Sequence, residues 1–140
     1  MSYVKLNRKA IEEVSAIVDL RQRTELIKKK CGDLSGIKPM FNGVLLACYV
    51  KPSTSKGGIL LTPNIVEEDI WQGKVGLVLK MGRDAFVNDE EVRFSERANV
   101  GDWVVFKTGD AWQLAVGDWP CRLVRDSSIR ILTEDPNVIE

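Results

Sequence analysis

The sequence predicts a mainly β fold, a small barrel or sandwich of short strands, preceded by an α-helical extension. Three observations carry this expectation. Six short β-branched or aromatic runs, bounded by Gly, Pro or Asp, follow one another from Gly43 to Leu132. Residues 8–31 instead repeat apolar side chains at helical spacing. The chain has 140 residues, enough for one domain to bury a core without disulfide or metal staples.

The extension, residues 1–36, comes first. Ala10, Ile11, Val14, Ile17 and Val18 share one face of a helix, while Glu12, Glu13, Asp19 and Arg21 fill the other positions. Asn7 is placed to cap its start, with Leu6 and Ile11 as the flanking apolar staple. Lys28, Lys29 and Lys30 followed by Gly32 form a cationic last turn and a glycine stop. Unbroken from residue 8 to residue 31, the helix would measure about 36 Å, although the polar Gln22 to Glu25 is a candidate break. Its apolar stripe must face something: the chain's own β domain, a neighbouring subunit or another protein.

Gly32 to Pro39 reads as a connection, and residues 37–140 read as the β domain. The expected strands are 43–50, 74–80, 102–107, 111–116, 119–124 and 128–132. Thr108-Gly109-Asp110 suits a tight hairpin between the third and fourth, and Gly117-Asp118 marks another reversal. Residues 83–100 are polar and charged apart from Phe86, Val87, Val92 and Phe94, which suits a long loop or a projecting hairpin.

Composition excludes several functions. Twenty Lys and Arg balance twenty Asp and Glu, so the large positive excess of a nucleic-acid or anionic-membrane surface is missing. The basic run Lys28 to Lys30 reads as a solvated helix end. No apolar run is long enough for a spanning helix, and the charged N-terminus is unlike a signal peptide, so a soluble, intracellular protein is expected. Without a histidine there is no histidine base, catalytic triad or His-based metal site. Cys31, Cys48 and Cys121 are odd in number and lack C-x-x-C spacing, which points to neither disulfides nor zinc; Cys48 and Cys121 lie in strand-like runs as small core residues. Asp84, Asp89, Glu90 and Glu91 lack the spacing and the loop glycine of a calcium site. Gly73-Lys74-Val75-Gly76 and Gly57-Gly58 match no phosphate-binding fingerprint. Trp71, Trp103, Trp112 and Trp119 have no basic groove beside them and read as core and interface residues. No catalytic constellation and no cofactor or metal site is therefore expected.

One segment asks for a function. Lys51 to Gly58 is polar and turn-prone, carries two glycines, and runs into Ile59, Leu60 and Leu61. Its composition predicts mobility in the free chain. The three aliphatic residues either begin a core strand, with Gly57-Gly58 as its entry turn, or present themselves to a partner.

From Phe41 to the end the chain resembles the GroES-type co-chaperonins (chaperonin-10 family), most closely the bacteriophage-encoded versions. Tyr49-Val50-Lys51-Pro52 followed by Gly57-Gly58-Ile59-Leu60-Leu61 is similar to the family's first strand and mobile loop. Gly73-Lys74-Val75-Gly76-Leu77-Val78-Leu79-Lys80-Met81-Gly82 looks like the strand returning from that loop. Val100-Gly101-Asp102-Trp103-Val104-Val105-Phe106 resembles the family's Val-Gly-Asp-x-Val-x-Phe strand, and Cys121 to Ile129 the phage versions' closing segment. Four matches in the family's order make the resemblance specific.

The resemblance implies a partly open β-barrel in which 51–70 is the mobile-loop region and 83–100 the roof-like loop or hairpin. It also implies a homo-oligomeric ring, usually of seven, that caps an ATP-bound GroEL-type chaperonin around folding clients and catalyses nothing itself. Gly57, Gly58, Ile59, Leu60 and Leu61 would contact the chaperonin, in the cytoplasm of the infected bacterial host. The short family members lack the helical extension. Its face of Ala10, Ile11, Val14, Ile17 and Val18 motivates a second expectation, a virion structural or decoration protein that packs this face against capsid or tail proteins.

Overall fold

In the computed structural model, residues 4–52, 67–90 and 93–139 are described. Six antiparallel strands form one sheet: β1 (Gly43–Cys48), β2 (Val75–Met81), β3 (Trp103–Phe106), β4 (Trp112–Val116), β5 (Trp119–Arg125) and β6 (Ile129–Thr133). Their order across the sheet is β4-β5-β1-β2-β3-β6. Among the described residues the sheet does not close, and β4 and β6 are its two edges. Mainly β, with helices at the N-terminus, the chain has the expected class of fold.

The order of the strands overturns one expectation. Thr108–Asp110 makes a tight 3-10 turn, but β3 and β4 do not pair, so no hairpin joins them. From this turn the chain crosses to the opposite edge, where β4 pairs with β5. Gly117, at φ 59°, makes the reversal between those two strands, and Val116 lies opposite Trp119.

Strand β1, Gly-Val-Leu-Leu-Ala-Cys, is apolar along almost its whole length because both faces of the sheet are covered there. Leu45, Ala47, Leu77, Trp103, Trp119 and Cys121 point into one buried cluster. Val44, Leu46, Val78, Val104, Phe106 and Val124 point into a second. The alternation follows from the two-residue period of a strand. The N-terminal helices cover the first cluster. Ala85, Phe86 and Ala98, from the segment between β2 and β3, cover the second. Among its described residues that segment is a loop with no strand, folded onto the sheet by its few apolar side chains.

The extension is two helices, α1 (Arg8–Ser15) and α2 (Leu20–Cys31), and not one unbroken rod. The break falls at Ala16 to Asp19, upstream of the polar Gln22 to Glu25. Asp19 causes it by leaving helical geometry and accepting the Gln22 N–H at 3.1 Å, a standard N-cap. Arg23 then folds back and donates through Nη1 to the carbonyls of Val14 and Ile17 at the end of α1, the first of which also accepts the Ile17 N–H. Asn7 accepts the Ala10 N–H at 3.1 Å and caps α1, and Leu6 is partly buried on the core, as the sequence predicts. Gly32, at φ 80°, ends α2 behind its three lysines.

Ala10, Ile11 and Val14 are fully buried against this chain's own sheet, as are Ile27 and Cys31 of α2. Three residues of the proposed partner-facing stripe are thus occupied internally. Ile17 is half-buried, and Val18 is 61% exposed beyond the break. The end of α2 sits on the β4–β5 reversal, where the Asp118 N–H donates to Lys30 O at 2.9 Å. Gly117 must be glycine there, since a Cβ would come within 2.6 Å of the Lys30 and Cys31 carbonyl oxygens. Lys80 Nζ donates to the carbonyls of Leu34 and Ile37, at 2.8 and 2.7 Å, and ties the connecting segment to β2.

Candidate functional site: the roots of the 53–66 segment

The predicted contact element Gly57, Gly58, Ile59, Leu60 and Leu61 lies outside the described residues. The two points from which it departs and to which it returns are well defined. Departure is at Tyr49 and Val50, just past β1. Return is through a short helix, α3 (Glu67–Gln72), which leads into β2. Both roots are buried, with Tyr49, Val50, Ile70 and Trp71 all in the first core cluster.

Tyr49 extends the β1–β2 pairing by one residue, its N–H donating to Val75 O at 3.1 Å. Its ring is held from three sides. Trp103 meets it edge-on, with centroids 5.0 Å apart and planes at 74°. The hydroxyl donates to Asn137 Oδ1 near the C-terminus. The Arg23 guanidinium lies 5.2 Å from the ring centroid, a cation–π contact supplied by the helical extension. Burial holds the Tyr49 hydroxyl above its ordinary pKa and the Arg23 guanidinium below its own.

The return root repeats this plan. Arg122 of β5 lies 5.0 Å from the Trp71 ring and donates to the Trp71 carbonyl through Nη2 and to Ala111 O, at 3.0 Å, through Nη1. Burial lowers its pKa too. Beside it, Trp119 Nε1 donates to Cys48 O at 2.9 Å and fixes the end of β1. Burial pushes the Cys48 thiol up to about 12, and the neighbouring Cys31 thiol, with burial, pushes Cys121 up as well. These thiols are therefore protonated and unreactive at neutral pH. All three cysteines are free and buried, Cys48 and Cys121 where their strand-like context placed them.

The buried side-chain nitrogens without a partner among the described residues all belong to these two roots: Arg23 Nε and Nη2, Trp71 Nε1 and Arg122 Nε. Neither arginine has a carboxylate partner among the described residues. Of the four tryptophans, Trp71, Trp103 and Trp119 are buried, whereas Trp112 is 74% exposed on edge strand β4.

Sequence reasoning missed both arginines. Arg23 sits in a polar stretch of helix, and Arg122 interrupts an otherwise apolar strand on a buried face. The second was detectable in principle, because a charge within a buried strand run demands a partner.

The chain matches the protein family described as Chaperonin 10 Kd subunit over residues 36–131, more than half of its length. It belongs to that family. The match takes in the whole sheet up to Ile131 and both roots, while α1 and α2 lie before its start. No curated protein matches the chain. Among the described residues no helix is long and apolar enough to cross a membrane. The chaperonin 10 family is one of co-chaperonins and not of enzymes.

Proposed function

We propose that the chain assembles as a homo-oligomeric ring, a heptamer, and caps an ATP-bound GroEL-type chaperonin to enclose folding clients. Membership of the chaperonin 10 family carries this reading. The buried roots add to it, because a binding segment works only if the body that carries it holds both of its ends. In this proposal Ile59, Leu60 and Leu61 enter apolar grooves on the chaperonin, while Gly57 and Gly58 allow the backbone to approach closely. Each aliphatic side chain contributes up to about 1.5–3 kcal/mol before association costs are subtracted, so one segment alone binds weakly. A ring presents several copies at fixed spacing, and avidity turns weak contacts into firm attachment from which each segment can still release. The setting we propose is the cytoplasm of a bacterial host infected by the phage that encodes the chain.

Native mass spectrometry of the chain with a GroEL-type chaperonin, with and without ATP, tests the proposal. The expected result is a ring that joins the chaperonin only with nucleotide, and loss of that complex in the triple variant Ile59→Ser, Leu60→Ser, Leu61→Ser while its own ring persists. A wild-type chain that ignores the chaperonin, or a triple variant that caps as well as wild type, overturns it.

A further inference from the structure

We propose that Arg23 is a positioning residue through which the N-terminal helical extension fixes the departure root of the 53–66 segment. The functional half of this inference rests on the co-chaperonin reading; the structural half does not. Helices α1 and α2 lie before the family match, yet one side chain from them reaches the last residues of the body ahead of that segment.

The argument begins with what Arg23 gives up. It is fully buried and, among the described residues, has no carboxylate partner and no acceptor for Nε or Nη2. A buried guanidinium of this kind is poor stability design, because well-packed apolar groups of similar volume are often neutral or better. Its one satisfied nitrogen, Nη1, donates to the carbonyls of Val14 and Ile17 and locks the corner between α1 and α2. The helix dipole at the end of α1 favours the cation there. With the corner locked, the guanidinium plane has little freedom left, and it lies against the Tyr49 ring.

Tyr49 turns that contact into position. Trp103, Asn137 and Arg23 hold its ring from the sheet, the C-terminal segment and the extension respectively. Removing Arg23 takes away the restraint that the helical extension supplies to Tyr49. The return root repeats this economy, and the buried arginines without a carboxylate partner among the described residues, Arg23 and Arg122, lie at the two places where the 53–66 segment joins the body.

Amide hydrogen exchange of the free chain tests this, read at the Tyr49 N–H that donates to Val75 O. Arg23→Met removes the cation, Arg23→Lys keeps a cation able to sit over the ring, and Asp19→Ala loosens the same helical corner without touching Tyr49. The expected result is Tyr49 exchange about tenfold faster in Arg23→Met than in Asp19→Ala, with Arg23→Lys within about threefold of wild type. Tyr49 exchange no faster in Arg23→Met than in Asp19→Ala, or equally fast in Arg23→Lys and Arg23→Met, overturns the inference and leaves Arg23 a fastener of the helices alone. Should Arg23→Met fail to fold, Arg23→Lys decides: slower than Asp19→Ala at Tyr49 supports positioning, equal or faster overturns it. Capping then separates the two readings. Arg23→Met should weaken ATP-dependent chaperonin binding several-fold while Arg23→Lys preserves it. If wild type does not bind the chaperonin at all, the function is overturned while the Tyr49 amide still judges Arg23.

Discussion

The two ends of strand β1 bury charge in opposite ways. At its start, Asp126 is almost fully buried, yet its carboxylate is well served: Oδ1 accepts from Asn42 Nδ2 and the Ser127 N–H, at 3.2 and 2.7 Å, and Oδ2 accepts the Phe86 N–H at 3.0 Å. At its far end, Arg23 and Arg122 are buried with three donor nitrogens unpartnered among the described residues. The first arrangement holds Phe86 in a left-handed conformation, φ 58°, that a bulky side chain rarely adopts, and so pins the loop after β2 onto the second core. The second surrounds the roots of the segment through which we propose the chain works. Satisfied polar burial specifies one rigid structure. Incompletely satisfied burial is tolerated where function is at stake.

Mutations at the two ends should separate these roles. The largest loss of stability is expected for Asp126→Ala, which strands the buried Phe86 N–H and removes the partner of the Ser127 N–H and the Asn42 amide. Urea unfolding should show a loss of about 3–5 kcal/mol. A loss below about 1 kcal/mol would mean that the Asp126 end is no better built than the other. Alkaline pH attacks the far end instead. Because folding raises the Cys48 thiol from its unfolded value to about 12, its contribution is complete below about pH 8.5 and is lost as pH climbs toward 12. Tyr49 and Cys121, raised in the same direction, add to the loss in their own ranges. Between pH 9 and 10.5, Cys48→Ala should flatten the decline by about 1.4 kcal/mol per pH unit in urea titrations, and an unchanged slope would show that Cys48 meets solvent. Arg122→Met loses two carbonyl contacts but also a desolvated charge, so a net change within about 2 kcal/mol is expected. A loss above about 4 kcal/mol would place this arginine with Asp126 as a foundation of the fold. The smallest effect belongs to Val18→Ser, beyond the helix break, at under about 0.5 kcal/mol by thermal unfolding.

The strands were legible because their signals are local. Glycine and aspartate bound β1, β2, β3 and β5, and Gly117-Asp118 announces a true reversal. The pairing was not legible where it depends on the whole sheet. Thr108-Gly109-Asp110 has hairpin chemistry, but its following strand finds a partner in β5 and not in β3. The helix break was hidden because Ile17 and Val18 continue the helical spacing of Ala10, Ile11 and Val14 across it, whereas the cause is one side chain at Asp19 with Arg23 behind it. Phe86 gives no local sign of its positive φ, since the device that enforces it is an aspartate forty positions away. At the candidate site, Tyr49 was legible as the end of a strand. Arg23 and Arg122 were not, because their meaning comes from rings brought to them by other elements.

The seat of the helical pair has a consequence for the order in which the chain acquires its shape. Helix α2 rests on Asp118 and Gly117, made long after Lys30 and Cys31 have left the ribosome. At about 5–20 residues per second, the nascent extension waits on the order of 10 s before its resting place exists. Through that interval Ala10, Ile11, Val14 and Ile27 lack Val116, Trp119 and Cys121 of the cluster that buries them in the folded chain, so the extension settles only once β5 is made.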